Sequence, residues 1–229
     1  MILYAIPTPL GGSPQDALPA PALARVRELQ DFVAENAKSA RAFLGAAGVN
    51  PRDVRIAELN EHTPAGEVPR LLGPLREGRP LGLLSEAGCP AIADPGAALV
   101  EAAHAAGFRV VPLVGPSAIT LALMASGLEG QRFAFCGYLP RDPAERKQRI
   151  KQLEQRSRRE HETEIFIETP YRNDALLGAL LETCAPGTRL CIAADLTLPA
   201  ESIRTQAVAD WRRSRPSLGK RPAVFLLLA

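Results

Sequence analysis

The chain has 229 residues, 46% hydrophobic and 23% charged, with a formal net charge of +2. This length suffices for one large domain or two small ones, and the near-neutral balance excludes a globally basic nucleic-acid coat, so any basic surface is local. Four scattered cysteines (Cys89, Cys136, Cys184, Cys191) form no CxxC pair and three histidines form no HExxH cluster, which argues against a disulfide framework and against a metal site. The apolar opening MILYAIPTPLGG is too short and too proline-rich for a signal peptide, and no apolar run is long enough to cross a membrane. A reduced, cytoplasmic setting is expected.

Short apolar runs alternate with helical patterns, as in an α/β fold. Residues 2–6 read as a buried strand ended by Pro7, then a loop at Leu10-Gly11-Gly12 and a Pro/Gly-rich connection to Pro21. Val26, Leu29, Val33, Ala37, Ala40 and Phe43 recur at helical spacing and predict one helix over 23–46, stopped near Gly48. A strand at 54–59, a helix at 68–76 ended by Gly78, and a strand at 81–85 come next. The loop 86–96 leads to a helix at 97–106, stopped by Gly107, and a strand at 109–114. This strand–loop–helix–strand unit favours parallel pairing. Gly115-Pro116-Ser117 opens a helix of small residues at 118–126. The second half repeats the alternation, with strands at 133–137, 164–168, 189–195, 202–207 and 223–228 and helices at 143–159 and 173–181. Two α/β domains are expected, 1–114 and 115–229.

Glycine and proline gather at strand ends. In open α/β sheets ligands lie outside the carboxyl ends of the strands, where loops 7–12, 85–96 and 115–118 fall. Their small residues let backbone approach a ligand closely. One such loop reads as a tight turn, whereas three in successive strand–helix units point to a shared pocket. There is no GxGxxG and no GxxxxGK[ST], and Gly115-Pro116-Ser117-Ala118 is not GxSxG, so Ser117 is a poor elbow nucleophile. Ser117 either caps the following helix or holds a ligand, and Asp94 has the same two readings. Glu61-His62, in a polar stretch, is either an acid–base or substrate-orienting pair or an exposed loop. Residues 141–159 carry eight Lys/Arg against three Asp/Glu, and 211–221 carry five Lys/Arg and no acid. Together they make a phosphate-binding surface, or separately a solvated helix face and a basic loop.

The run SEAGCPAIADPG at 85–96 resembles the SDAGTPxISDPG loop of the tetrapyrrole-methylase superfamily, closest to its branch that methylates a cytidine ribose 2′-hydroxyl in small-subunit ribosomal RNA. Further matches follow in order. Ile6-Pro7-Thr8-Pro9-Leu10-Gly11 is similar to ATPIGN, and Ala34-Glu35 with Arg41 to AEDTR. Glu61-His62 matches a Glu-His pair, and Gly115-Pro116-Ser117-Ala118 matches PGPSA. Gly137-Tyr138-Leu139-Pro140-Arg141 matches GFLPR, Phe166, Glu168, Pro170 and Arg172 match FYESPHR, and Asp195-Leu196-Thr197 with Glu201 matches ELTKxxE weakly. Asn36-Ala37-Lys38 replaces the family's Asp-Thr-Arg, and Leu198 replaces its lysine.

The resemblance implies two α/β domains with S-adenosylmethionine in the cleft between them, and a homodimer. It assigns Pro9, Leu10, Ser85, Glu86, Ala87, Ile92, Asp94, Ser117 and Ala118 to the cofactor, with Leu139, Glu168 and Leu196 from the second domain. Lys38, Arg41, Arg141 and Arg172 become candidate substrate contacts. Glu35, Glu61 and His62 are candidate catalytic residues, since a ribose hydroxyl is a weak nucleophile that a base assists. The expected activity is S-adenosylmethionine-dependent methyl transfer to ribosomal RNA. The alternatives are a small tetrapyrrole-like acceptor, or a catalytically altered cofactor-binding protein, motivated by the changes at 36–38 and 198.

Overall fold

Short parallel strands, the central two buried at every residue, build the first half of the chain. The computed structural model describes all residues, Met1–Ala229, in two units, Met1–Ser117 and Ala118–Ala229. In the first unit, β1 (Ile2–Ile6), α1 (Pro14–Ala17), α2 (Ala20–Glu28), β2 (Asp31–Ala34), α3 (Ala37–Ala46) and β3 (Arg55–Glu58) are followed by a 3-10 helix (Ala65–Leu72). Next come α4 (Gly73–Arg76), β4 (Leu81–Leu84), α5 (Gly96–Ala105) and β5 (Arg109–Pro112). The strands pair in the order β3-β2-β4-β1-β5, all parallel. Tyr4, Ile6, Phe32 and Leu84 pack with Leu23 and Val26 of α2 and Leu44 of α3. Leu3, Val33, Leu81 and Leu83 pack with Leu72 and with Leu99 of α5. Since side chains alternate across a strand, these two clusters occupy opposite faces, and the sheet lies between two helical layers.

The second unit contains α6 (Ala118–Ser126), β6 (Phe133–Tyr138), α7 (Pro143–Glu160), β7 (Thr163–Ile167), α8 (Asn173–Thr183), β8 (Arg189–Ala194), β9 (Ser202–Ala207), α9 (Val208–Arg213) and β10 (Ala223–Leu228). Its sheet order is β6-β7-β10-β8-β9, parallel only between β6 and β7. Phe166 and Phe225, paired across β7 and β10, stack with ring centroids 6.1 Å apart within a core shared with Leu153, Leu177 and Trp211.

Three expectations need correction. The single helix over 23–46 is instead helix, strand, helix. All four residues of β2 are buried because β2 lies between β3 and β4 and is covered on both faces. Such a strand shows an apolar run, Phe32-Val33-Ala34, whose members happen to extend the helical period on either side. The helix at 68–76 is split into a 3-10 segment and one α turn, with Pro69 inside the former and Pro74 opening the latter. The start of the basic loop read at 211–221 instead ends α9 (Val208–Arg213), anchored where Trp211 Nε1 donates to the Leu190 carbonyl at 2.8 Å.

Gly82 occupies β4 where a Cβ would lie 2.6 Å from Phe32 Cδ1 and 2.9 Å from Ile6 Cδ1. Gly82→Ala is expected to lower the unfolding free energy by about 1–3 kcal/mol through overpacking, read as a reduced urea midpoint at unchanged slope. Gly66→Ala, with no neighbour within 4 Å, should leave the midpoint nearly in place.

Candidate functional site

Parallel pairing sends the carboxyl ends of all five strands of the first unit to one edge, and the loops there are bound to one another. Beyond β1, the Thr8 N–H donates to the Gly88 carbonyl at 2.9 Å and the Gly88 N–H returns to the Thr8 carbonyl at 3.0 Å. Ser85 Oγ, just past β4, closes the turn by donating to the Gly88 carbonyl at 2.7 Å. Gly88 has φ +78°, and a Cβ there would meet Leu10 Cδ2 at 3.3 Å. Cys89 Sγ lies 3.4 Å from the Pro116 carbonyl, and a Cβ on Gly115 would fall 2.5 Å from Pro7 Cβ. Loops 7–12, 85–96 and 115–117 are therefore one surface.

Asp94 serves both as a cap and as a loop tie. Its Oδ1 accepts from Ala91 N–H at 2.7 Å and from Gly96 N–H, the first residue of α5, at 2.8 Å. Burial raises the Asp94 pKa, against the lowering effect of these two bonds. The tie holds Ala91 and Ala93 in the left-handed region, φ 65° and 58°, an arrangement that costs about 1 kcal/mol or more per non-glycine residue. Ile92, between them, is 47% exposed.

Carboxylates dominate the rest of this edge. Glu35, directly after β2, is partly buried, and its pKa is raised first by desolvation and then by the charges of Glu86, Asp94 and Glu61. Ser39 Oγ donates to Glu86 at 3.0 Å, and Glu58 accepts from the Ala37 N–H at 2.9 Å. Asn36 caps α3, its Oδ1 accepting from Lys38 and Ser39 N–H. Lys38 and Arg41 are exposed, with Arg41 reaching only the Ala37 carbonyl. Glu61 and His62 are 3.7 Å apart, with side chains 87% and 85% exposed. No group of three or more His, Cys, Asp or Glu is arranged to hold a metal.

In the second unit, Glu168 follows β7 with its side chain fully buried. Its Oε1 accepts from Thr169 N–H at 2.6 Å and pairs with Arg172, while Oε2 is buried with no partner. Arg172, an expected substrate contact, pairs with Glu168. Leu139 and Leu196 are buried and Arg141 is exposed. Leu196 stands between Asp195 (φ 52°) and Thr197 (φ 69°), and Glu201 accepts from the Thr197 N–H at 2.8 Å. The basic segments are largely used internally. Arg156 pairs with Glu162 and Glu164, Lys147 with Glu182, Arg212 donates to the Leu181 and Cys184 carbonyls, and Arg221 pairs with Asp195.

The structure thus brings Leu10, Ser85 and Asp94 onto one bound surface and sets Glu35 among Glu61, Glu86 and Asp94. It leaves Lys38 and Arg141 as free surface cations. Sequence reasoning did not single out Thr8 or Gly88, which fasten the loops together. A buried threonine between two prolines at a strand end was the available signal.

Residues 5–210 match the family model of tetrapyrrole (corrin/porphyrin) methylases. The ribosomal RNA small subunit methyltransferase I of Mesorhizobium japonicum is 35% identical over 212 residues, 91% of this chain and 69% of that protein. The protein of the same name from Pseudomonas aeruginosa is 32% identical over 228 residues, 98% of this chain and 78% of that one. The crystal structure of the methyltransferase CobJ shares the fold, with a TM-score of 0.66 over 99% of this chain and 93% of that one at 22% identity. Two α/β units with mutually fastened loops at strand carboxyl ends of the first, matched over nearly the whole chain by a methyltransferase family, define a two-domain α/β methyltransferase. The chain belongs to the tetrapyrrole (corrin/porphyrin) methylase family.

Asp94→Ala is expected to release the Ala91 and Gly96 amides, seen as faster hydrogen exchange at both, and to cost about 1–3 kcal/mol of stability. Asp94→Asn, whose Oδ1 still accepts, should keep both amides protected. Ionising a carboxyl whose pKa is raised in the folded state disfavours folding, so the Asp94 contribution falls as pH rises from the ordinary 3.8 through the raised value. Asp94→Asn should remove that component from the stability–pH curve.

Proposed function

We propose that this protein transfers the methyl group of S-adenosylmethionine to a ribose 2′-hydroxyl of small-subunit ribosomal RNA, acting as a cytoplasmic homodimer. The observation that carries the reading is the fastened set of loops at the carboxyl ends of β1, β4 and β5, the place where open α/β sheets bind ligands. The RNA acceptor is supported by the relatives named as ribosomal RNA methyltransferases at 32–35% identity.

The residues fit an adenosine-bearing donor. Ile92 offers exposed apolar surface, and Glu86 and Asp94 supply acceptors for hydroxyl or amino groups. Pro9, Leu10, Ser85, Ala87 and Ser117 are assigned to close contact with it. S-adenosylmethionine, when bound, supplies a methyl group on an electrophilic sulfonium.

The chain's own contribution is alignment and proton removal. Fixed loops hold the reactants in line, an effect worth about 7–11 kcal/mol where the geometry is favourable. Glu35 is the proposed base. It is the candidate withdrawn from solvent, and its raised pKa makes its carboxylate a better proton acceptor, whereas Glu61 and His62 lie in open solvent. Lys38 and Arg41, on the exposed side of α3, are assigned to substrate. A small-molecule acceptor is the second reading, favoured by the acidity of Glu35, Glu61, Glu86 and Asp94 together, which suits a phosphate backbone poorly.

Radiolabelled methyl transfer to unmodified ribosomal RNA, run beside a tetrapyrrole precursor, separates the two readings, and label in neither overturns the proposal. Glu35→Gln is expected to lower kcat about 10²–10⁴-fold. A base must be ionised, so wild-type kcat should fall with decreasing pH through a value above the ordinary 4.5, and the variant should lose that limb. Ser117→Leu should weaken S-adenosylmethionine binding in calorimetric titration, and unchanged binding would remove Ser117 from the donor site.

A further inference from the structure

The amino ends of the same strands carry an arrangement of opposite charge. Asp31, the first residue of β2, has a side chain only 4% exposed. Arg55, the first residue of β3, grips it with two donors, Nε to Oδ1 at 2.6 Å and Nη2 to Oδ2 at 2.7 Å. Arg79, just before β4, adds Nε to Oδ2 at 3.0 Å. The paired Asp31 carboxyl is held below its ordinary range, by Arg55 first, so it stays ionised and both guanidinium planes stay fixed. These arginines line a cavity of about 300 Å³ together with Arg70, Phe32, Ile56 and Leu71. Arg70 is exposed, and its side chain makes no hydrogen bond or ion pair.

One arginine neutralises one carboxylate; here three face a cavity containing a single buried carboxylate. Glu77 accepts from Arg79 Nη1 at 2.5 Å and leaves the balance positive. A guanidinium has five N–H donors in a rigid fork suited to phosphate, and most of these donors are unspent. We propose that Arg55, Arg70 and Arg79 form a second ligand site, a cradle for a phosphate group, and that single-stranded RNA substrate supplies the phosphate.

The fold gives this placement a use. β3 is the open edge of the sheet and runs from Arg55 at the cradle to Glu58 beside the candidate site. Three residue steps of strand span about 10 Å. An RNA strand lying across β3 sets one phosphate in the cradle while its acceptor nucleotide reaches the carboxyl-end loops. The choice of RNA as source rests on the function proposed above; the cradle does not.

The test uses the full chain with two probes, inorganic phosphate and a short single-stranded oligoribonucleotide, in calorimetric titrations. Arg70→Glu spares the Asp31 pairs, and Arg76→Glu, on neighbouring α4 but outside the cavity lining, is the charge-matched control. Arg70→Glu is expected to weaken both probes about tenfold, with Arg76→Glu changing either less than twofold. Arg70→Ala should lower the slope of log affinity for the oligonucleotide against log salt by about one. Absence of phosphate binding to the unmodified protein overturns the cradle, as does equal weakening by Arg76→Glu. Phosphate binding lost in Arg70→Glu with oligonucleotide binding unchanged upholds the cradle and overturns RNA as its source. Failure of methyl transfer to RNA with the phosphate results intact overturns the proposed function alone.

Discussion

The reciprocal backbone pair between Thr8 and Gly88 is the interaction on which the candidate site depends. β1 and β4 run parallel, yet Thr8 and Gly88 pair antiparallel, so the chain leaving β4 must reverse within Ser85-Glu86-Ala87-Gly88. The reversal needs a residue with φ +78°, which glycine adopts without penalty, and a hydroxyl at Ser85 to close the turn. Once made, it folds the 85–96 loop back over the end of β1. Leu10, Cys89 and Pro116 then meet around Gly88 because no side chain stands there.

The same solution to a different loop problem occurs twice. After β4, Ala91 and Ala93 flank Ile92 in left-handed conformations, and after β8, Asp195 and Thr197 do the same around Leu196. In each case a carboxylate a few residues on, Asp94 or Glu201, accepts a backbone N–H of a flanking residue. A left-handed residue on either side turns the intervening apolar side chain out of the local backbone path, and the carboxylate bond offsets the strain. Such loops are fixed before a ligand arrives, which is what positioning chemistry requires.

What the sequence disclosed follows the physics of each element. β4, α6 and β10 were legible because their apolar runs open after Gly, Pro or charged residues. β2 was not, because burial on both faces removes alternation and leaves a four-residue run indistinguishable from part of a helix. The loop 85–96 announced itself through its glycines, prolines and family motif, but its fastening to Thr8 joins positions 77 or more apart in the chain, and no local pattern carries that information. Charge misled most. Arg172, a candidate substrate contact in sequence, pairs with a buried glutamate four residues before it, and α7 and the 211–221 segment direct much of their charge inward. An arginine's role is set by which carboxylate the fold brings to it.

Parallel strand order then ties these features into one polarity. Every strand of the first sheet begins at one edge and ends at the other, so residues opening β2 and β3 are segregated from those following them. Asp31 and Arg55 open their strands; Glu35 and Glu61 come after them. The result is an edge rich in guanidinium groups and an opposite edge rich in carboxylates, on a unit whose sequence is close to charge balance. Desolvation first, and then the neighbouring carboxylates, raise the Glu35 pKa, and the same carboxylates repel an anionic ligand from that edge. A polyanion is best held at a distance from its reacting nucleotide, by positive charge at the far end of the same strands. Strand direction separates the partly buried carboxylate of Glu35 from the guanidinium groups of Arg55 and Arg79.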